Sequence, residues 1–148
     1  MRISTKGRYA VAAMVYMAKE YANNEYIAAS TIADKLGISK IYLEQVFSLL
    51  KRGGLVNSIK GSQGGYLLVR EPRRINVYDV LYAVESSLFE KTEPTAAVKA
   101  PEVDDVMRRM VFDALDEKIG GLLLGITIAD LAAEVQRHQD SQSPMYYI

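Results

Sequence analysis

The sequence predicts a mainly α-helical protein carrying one small β-hairpin. Apolar residues recur every three or four positions through most of the chain, the spacing of helices laid against a core. Two strand-like runs, LVNSIK (55–60) and GYLLVR (65–70), flank the glycine-rich GSQG and read as the hairpin. A length of 148 residues, 49% hydrophobic and 24% charged, is enough for one compact domain plus a dimerisation element and argues against wholesale disorder.

The elements follow in order. A first helix is expected from Thr5 to Tyr21, apolar on nearly every face through its middle and therefore buried on several sides. NNEY (23–26) reads as a turn. ASTIADKLG gives a short helix capped by Ser30 or Thr31, with Ile32, Ala33 and Leu36 inward and Gly37 ending it. Ser39 then caps KIYLEQVFSLLKRGG, whose Leu43, Val46, Phe47 and Leu50 define the inner face. Tyr42, Glu44 and Gln45 fall off that face. After the hairpin, INVYDVLYAVES makes another short helix, and residues 87–101, with Pro94 and Pro101 and no periodicity, read as a loop. From Glu102 to about Leu123 a long amphipathic helix returns, and Thr127 caps a last short helix before the polar QDSQS and the ending PMYYI. Three parts result: 1–86, the loop 87–101, and 102–148.

Charge divides the chain. Residues 1–75 hold twelve Lys+Arg against five Asp+Glu, a net of +7, and the remainder balances it at −7. Only the first half is therefore expected to meet a polyanion. There are no cysteines, which excludes disulfides, thiolate nucleophiles and cysteine-ligated metals. The Cys–His pair, P-loop, G-x-S-x-G and metal-spaced histidines of common enzymes are missing too, so an enzyme is not expected. The N-terminal MRISTKGR followed by an apolar run superficially suggests a signal peptide. It continues into Lys19 and Glu20 without a cleavage site and is too short for a bilayer, so a buried first helix and a cytoplasmic protein are expected.

A short helix, a glycine-containing turn and a second helix form a helix-turn-helix unit, and the hairpin after it makes a winged version. In such a unit the second helix enters the DNA major groove N-terminal end first. That assigns Ser39 and Lys40 to phosphate contacts and Tyr42, Glu44 and Gln45 to the groove, with Gln45 able to bond adenine. At the wing tip Lys60 supplies a cation, Ser62 and Gln63 supply hydrogen-bond donors, and the glycines let the backbone approach closely. The plainer reading is a helical corner with a polar face, or a winged helix used only to dock on proteins; the basic first half favours DNA.

The runs MRISTKGRYAV, GISKIYLEQVFSLLKRGGLVNSIKGSQGGYLL and TIADL resemble the iron–sulfur cluster regulator (IscR), nitric-oxide sensor (NsrR) and cysteine metabolism repressor (CymR) family over nearly the whole chain. The resemblance implies a bacterial homodimeric winged-helix transcription regulator on a two-fold operator. It places Ser39, Tyr42, Glu44 and Gln45 on the recognition helix and Lys60 at the basic wing-tip position, where relatives often carry arginine. Cluster-binding relatives hold three cysteines in the loop corresponding to 87–101. Here only Glu90, Glu93 and Glu102 stand nearby and His138 is remote, so no cofactor or metal is expected. The likeness is nearest to the cluster-free cysteine metabolism repressors.

Two further expectations concern partners. The stripe containing Val106, Met107, Met110, Val111 and Ala114 on the long helix is assigned to dimerisation. At the C-terminus, Tyr147 and Ile148 are assigned to docking in cysteine synthase, a partner implied by the resemblance, with packing back on the dimer as the alternative. A regulator of the same family answering to another small molecule is the remaining alternative.

Overall fold

The structure, a computed structural model, describes residues 1–142, so Tyr147 and Ile148 lie outside the described residues. Helix α1 (Thr5–Lys19) opens on Ser4, whose hydroxyl accepts from the Gly7 N–H at 3.1 Å, and stops at Lys19 rather than Tyr21. Tyr21–Asn23 instead form a separate 3-10 turn, closed by Asn24 in the left-handed region at φ 49°.

Helix α2 (Ala29–Leu36) ends at Gly37 as expected, but neither Ser30 nor Thr31 caps it. Both lie inside the helix, and Ala28 holds the cap position without a side-chain bond. The cause is tertiary: the Ile27 N–H donates to the Tyr66 carbonyl at 2.9 Å and the Tyr66 N–H donates back at 2.8 Å. That pairing fixes Ala28 as extended chain and starts the helix immediately after it.

Helix α3 (Lys40–Arg52) is capped by Ser39, which accepts from the Tyr42 N–H at 3.4 Å, and buries Leu43, Val46, Phe47 and Leu50. The hairpin follows as antiparallel β1 (Val56–Ile59) and β2 (Gly65–Leu68), in register from Val56 opposite Leu68 to Ile59 opposite Gly65. Helix α4 (Val77–Val84) starts on a reciprocal capping box between Asn76 and Asp79, satisfying two end amides at once.

The segment expected as loop 87–101 contains a 3-10 turn at Ser86–Phe89, and α5 (Pro101–Met107) already begins on Pro101. A wider, π-type turn over Arg108–Phe112 links α5 to α6 (Asp113–Leu124) in one continuous helical run. Helix α7 (Ile128–Gln142) is opened by the Thr127 and Asp130 pair and runs through the polar QDSQ, where a tail was expected. Polar side chains one turn apart support that extension: Gln136 donates to Asp140 at 3.0 Å, and Gln142 meets His138 at 2.9 Å.

Helix α1 lies centrally, with α3, α4 and α7 packed on it. Ala10, Ala13, Met14 and Met17 meet Ile32 of α2 and the inner face of α3 in one apolar core. The acidic half joins this core, because Ile128 is fully buried in it and donates its N–H to the Ile75 carbonyl at 2.9 Å. Among the described residues no helix is long and apolar enough to cross a membrane.

Candidate nucleic-acid interface

The outward face of α3 follows from its inward one. With positions 43, 46, 47 and 50 buried, residues 40, 41, 44, 45 and 48 emerge on the opposite side, and all five are exposed. Lys40 and Glu44 pair at 3.8 Å across one turn with both side chains open to solvent, a contact worth about 0.3–0.5 kcal/mol. Such a pair is readily given up to a phosphate or a base. Tyr42 departs from the outward position expected of it. It is half-buried, its ring standing edge-on to Tyr9 of α1 at 5.3 Å and 86°, so it holds α3 against α1.

The wing is locked to α3 from beneath. The Tyr66 ring stacks on Phe47 at 4.2 Å and 11°, and the Lys51 ammonium donates to the Ser58 hydroxyl at 2.6 Å. Because that ring sits where helix and wing meet, burial, with the Glu44 charge adding to it, pushes the Tyr66 phenol above its ordinary pKa. At the tip, Gly61 adopts φ 112°, closed to residues with a Cβ, and the Gly64 N–H donates to the Gly61 carbonyl at 3.0 Å. Lys60, Ser62 and Gln63 are exposed around this turn.

These side chains are divided between two clefts. Lys40 and Glu44 of α3, Lys60 of the wing and Ser30 of α2 line one of about 360 Å³. Ser62 and Gln63 face away from it, into a cleft of about 690 Å³ shared with Tyr16, Glu20, Glu25 and Tyr26. The first cleft carries two lysines against one glutamate and suits a phosphate backbone. The second carries two carboxylates, and burial with the Glu20 charge raises the Tyr16 phenol above its usual value. A phosphate is repelled there. Ile41 and Ser48 complete the α3 face; the spacing of the inner face places them outward, and the sequence reading left them out.

The long helix presents an apolar face of a different kind. Val106, Met110 and Val111 are exposed, as are Val103, Leu115 and Leu122, whereas Met107 and Ala114 are half-buried. The π-type turn over Arg108–Phe112 shifts the residues after it, Ala114 and Leu115 among them, around the helix axis. Arg108 brackets that turn, donating to Asp105 at 2.7 Å and to Asp113 at 2.8 Å. The preceding loop is tied down by Asp104, which accepts from the Thr95 and Ala96 N–H groups at 2.8 and 3.0 Å. Those two bonds hold its carboxyl below the ordinary pKa.

Residues 3–134 match the model of the Rrf2 family, described as an iron-dependent transcriptional regulator. The chain is similar to the regulator IscR of Serratia proteamaculans, 37% identical over 88% of this chain and 79% of that one. It is similar over 100% of both chains to CymR of Bacillus subtilis, at 32% identity. The solved structure of that protein, titled as the global cysteine regulator of B. subtilis, superposes with a TM-score of 0.74 at 30% identity, covering 90% of this chain and 98% of that one.

An iron–sulfur centre, as the family description invites, does not fit the residues present. The chain has no cysteine, Glu90, Glu93 and Glu102 are exposed, and carboxylates are hard donors ill-suited to such a cluster. Among the described residues, no three His, Cys, Asp or Glu side chains are placed to share a metal ion. Without those ligands but with the helix, wing and core in place, the chain belongs to the Rrf2 family of transcriptional regulators.

Proposed function

We propose that this chain is a homodimeric, cluster-free DNA-binding repressor of cysteine or sulfur metabolism genes. The observation that carries the DNA-binding part is the joining of the first turn of α3 to the wing through a single open cleft lined by Lys40 and Lys60. In this reading Ser39 and Lys40 meet phosphates, Glu44 and Gln45 meet base edges, and Lys60 follows the minor groove, while Ser62 and Gln63, turned to the acidic cleft, stay off the duplex. Tyr42 acts from behind, by fixing α3 on Tyr9. The exposed Val106, Met110 and Val111 pack on a second copy, with Met107 and Ala114 at the margin. The cysteine assignment is supported by likeness to CymR over the full length of both chains. Tyr147 and Ile148 then dock in the active site of cysteine synthase and link DNA binding to cysteine supply.

The test is recovery of bound fragments from sheared bacterial genomic DNA, followed by mobility shift on those enriched. Enrichment upstream of sulfur-assimilation genes is expected. Enrichment elsewhere removes the cysteine assignment, and failure to retain any specific fragment removes the DNA reading. The 690 Å³ cleft favours a second reading, a regulator answering to a small cationic ligand held by Glu20 and Glu25. A thermal-shift screen of amines against wild type and Glu25→Gln decides it.

A further inference from the structure

Helix α3 leaves one large apolar side chain in solvent, and it lies in the first turn. Ile41 is 72% exposed, more than any other large hydrophobic residue of 1–86 except the terminal Met1. The other exposed positions of α3 are Lys40, Glu44, Gln45, Ser48, Lys51 and Arg52, all polar. Nothing in the fold calls for isoleucine here. A β-branched residue is a weaker helix former than alanine, lysine or glutamine, and at this exposure it buries little against its own chain. A solvated isoleucine on an otherwise polar face is therefore better explained by what touches that face.

We infer that Ile41 reads the C5-methyl group of a thymine in the major groove. The inference rests on the DNA-binding reading above, and on α3 entering with its N-terminal end. Thymine alone among the four bases presents a methyl group in that groove, and apolar contact with it is a sequence-specific interaction needing no hydrogen bond. Gln45 follows Ile41 by four residues, so the two share a face about 6 Å apart along the helix axis. That separation spans one to two base-pair steps, so the pair reads thymine and adenine at nearby positions. Isoleucine is suited to this task because its χ1 is nearly fixed in a helix and little rotamer freedom is lost on contact.

The test uses the full chain. Wild-type protein selects a site from a random duplex library. Each thymine of that site is then replaced by deoxyuridine, which removes only the methyl group. At one position per half-site the loss should be about fourfold, equivalent to about 0.8 kcal/mol for one buried methyl, and about fifteenfold with both half-sites changed. Ile41→Ser should bind more weakly to the thymine site, show no further loss with deoxyuridine at that position, and melt at the wild-type temperature. Equal deoxyuridine losses in wild type and Ile41→Ser overturn the inference, as does indifference of wild type at every thymine. If no site is enriched from the library, the DNA-binding reading fails and the inference fails with it.

Discussion

Gly65 is where the wing passes over the chain entering α2, and adding one methyl group there tests the geometry of the whole unit. A Cβ at position 65 would stand 2.3 Å from the Ile27 carbonyl oxygen, 2.4 Å from its carbon and 2.7 Å from the Ala28 nitrogen. All three are backbone atoms that cannot rotate aside. Gly65→Ala must therefore separate β2 from residue 27 by about 1 Å to reach ordinary van der Waals contact. The two bonds between Ile27 and Tyr66, at 2.9 and 2.8 Å, sit at that point and should be lost or badly strained. At about 1 kcal/mol net for each bond, the expected destabilisation is about 2 kcal/mol, with some relief if the 23–26 turn yields. Urea unfolding followed by circular dichroism at fixed protein concentration should show a midpoint lower by about 1 M for a slope of about 2 kcal/mol/M. The native fraction should bind DNA more weakly, since Lys60 no longer shares a cleft with Lys40. A midpoint within about 0.2 M of wild type would refute the close approach of β2 to residue 27.

Other expectations follow from the same geometry. Gln45→Ala should cost about 1–3 kcal/mol on a specific site and relax base preference there, whereas Lys60→Ala should weaken all sequences alike and lower the salt slope by about one counterion; equal losses from both on specific and random DNA would contradict the assignment. Met110→Asp with Val111→Asp should yield a monomer by light scattering with weak DNA binding, and a dimeric double variant would place the interface elsewhere. Asp104 has a folded-state pKa below its unfolded value, so its tether on Thr95 and Ala96 is fully present above about pH 4 and lost as pH falls through the lower folded value. The amide proton shifts of Thr95 and Ala96 should titrate with a midpoint below the ordinary aspartate value; a midpoint at that value would argue against the two bonds. Deletion of residues 145–148 should abolish calorimetric binding to cysteine synthase, and unchanged affinity would eliminate the docking.

Helix α3 was legible because its signals are local. Ser39 stands before an apolar run spaced 43, 46, 47 and 50, and the paired glycines follow it, so cap, inner face and end all agree. The wing was legible for the same reason, with glycines at the tip and a short strand-like run on either side. What escaped depends on contacts between distant segments. Ala28 begins α2 because Ile27 is held by Tyr66, a partner remote in sequence, while Ser30 and Thr31 offered the better local cap. Tyr42 lies one step from the buried stripe, and only the position of Tyr9 decides that its ring turns inward. Helix α7 continues through polar residues because α1 lies alongside it, with Lys19 donating to Gln139 at 2.9 Å. The wide turn at Arg108–Phe112 has no local composition to announce it.

The central claim is that two copies present α3 and the wing to one duplex. Hydroxyl-radical footprinting of the full chain on a selected duplex tests it most directly. Two protected patches related by a dyad and centred about one helical turn apart, roughly 34 Å, are expected, and both should fade together in the Gln45→Ala, Lys60→Ala double variant. A single protected patch, or protection that survives the double variant unchanged, would contradict the account.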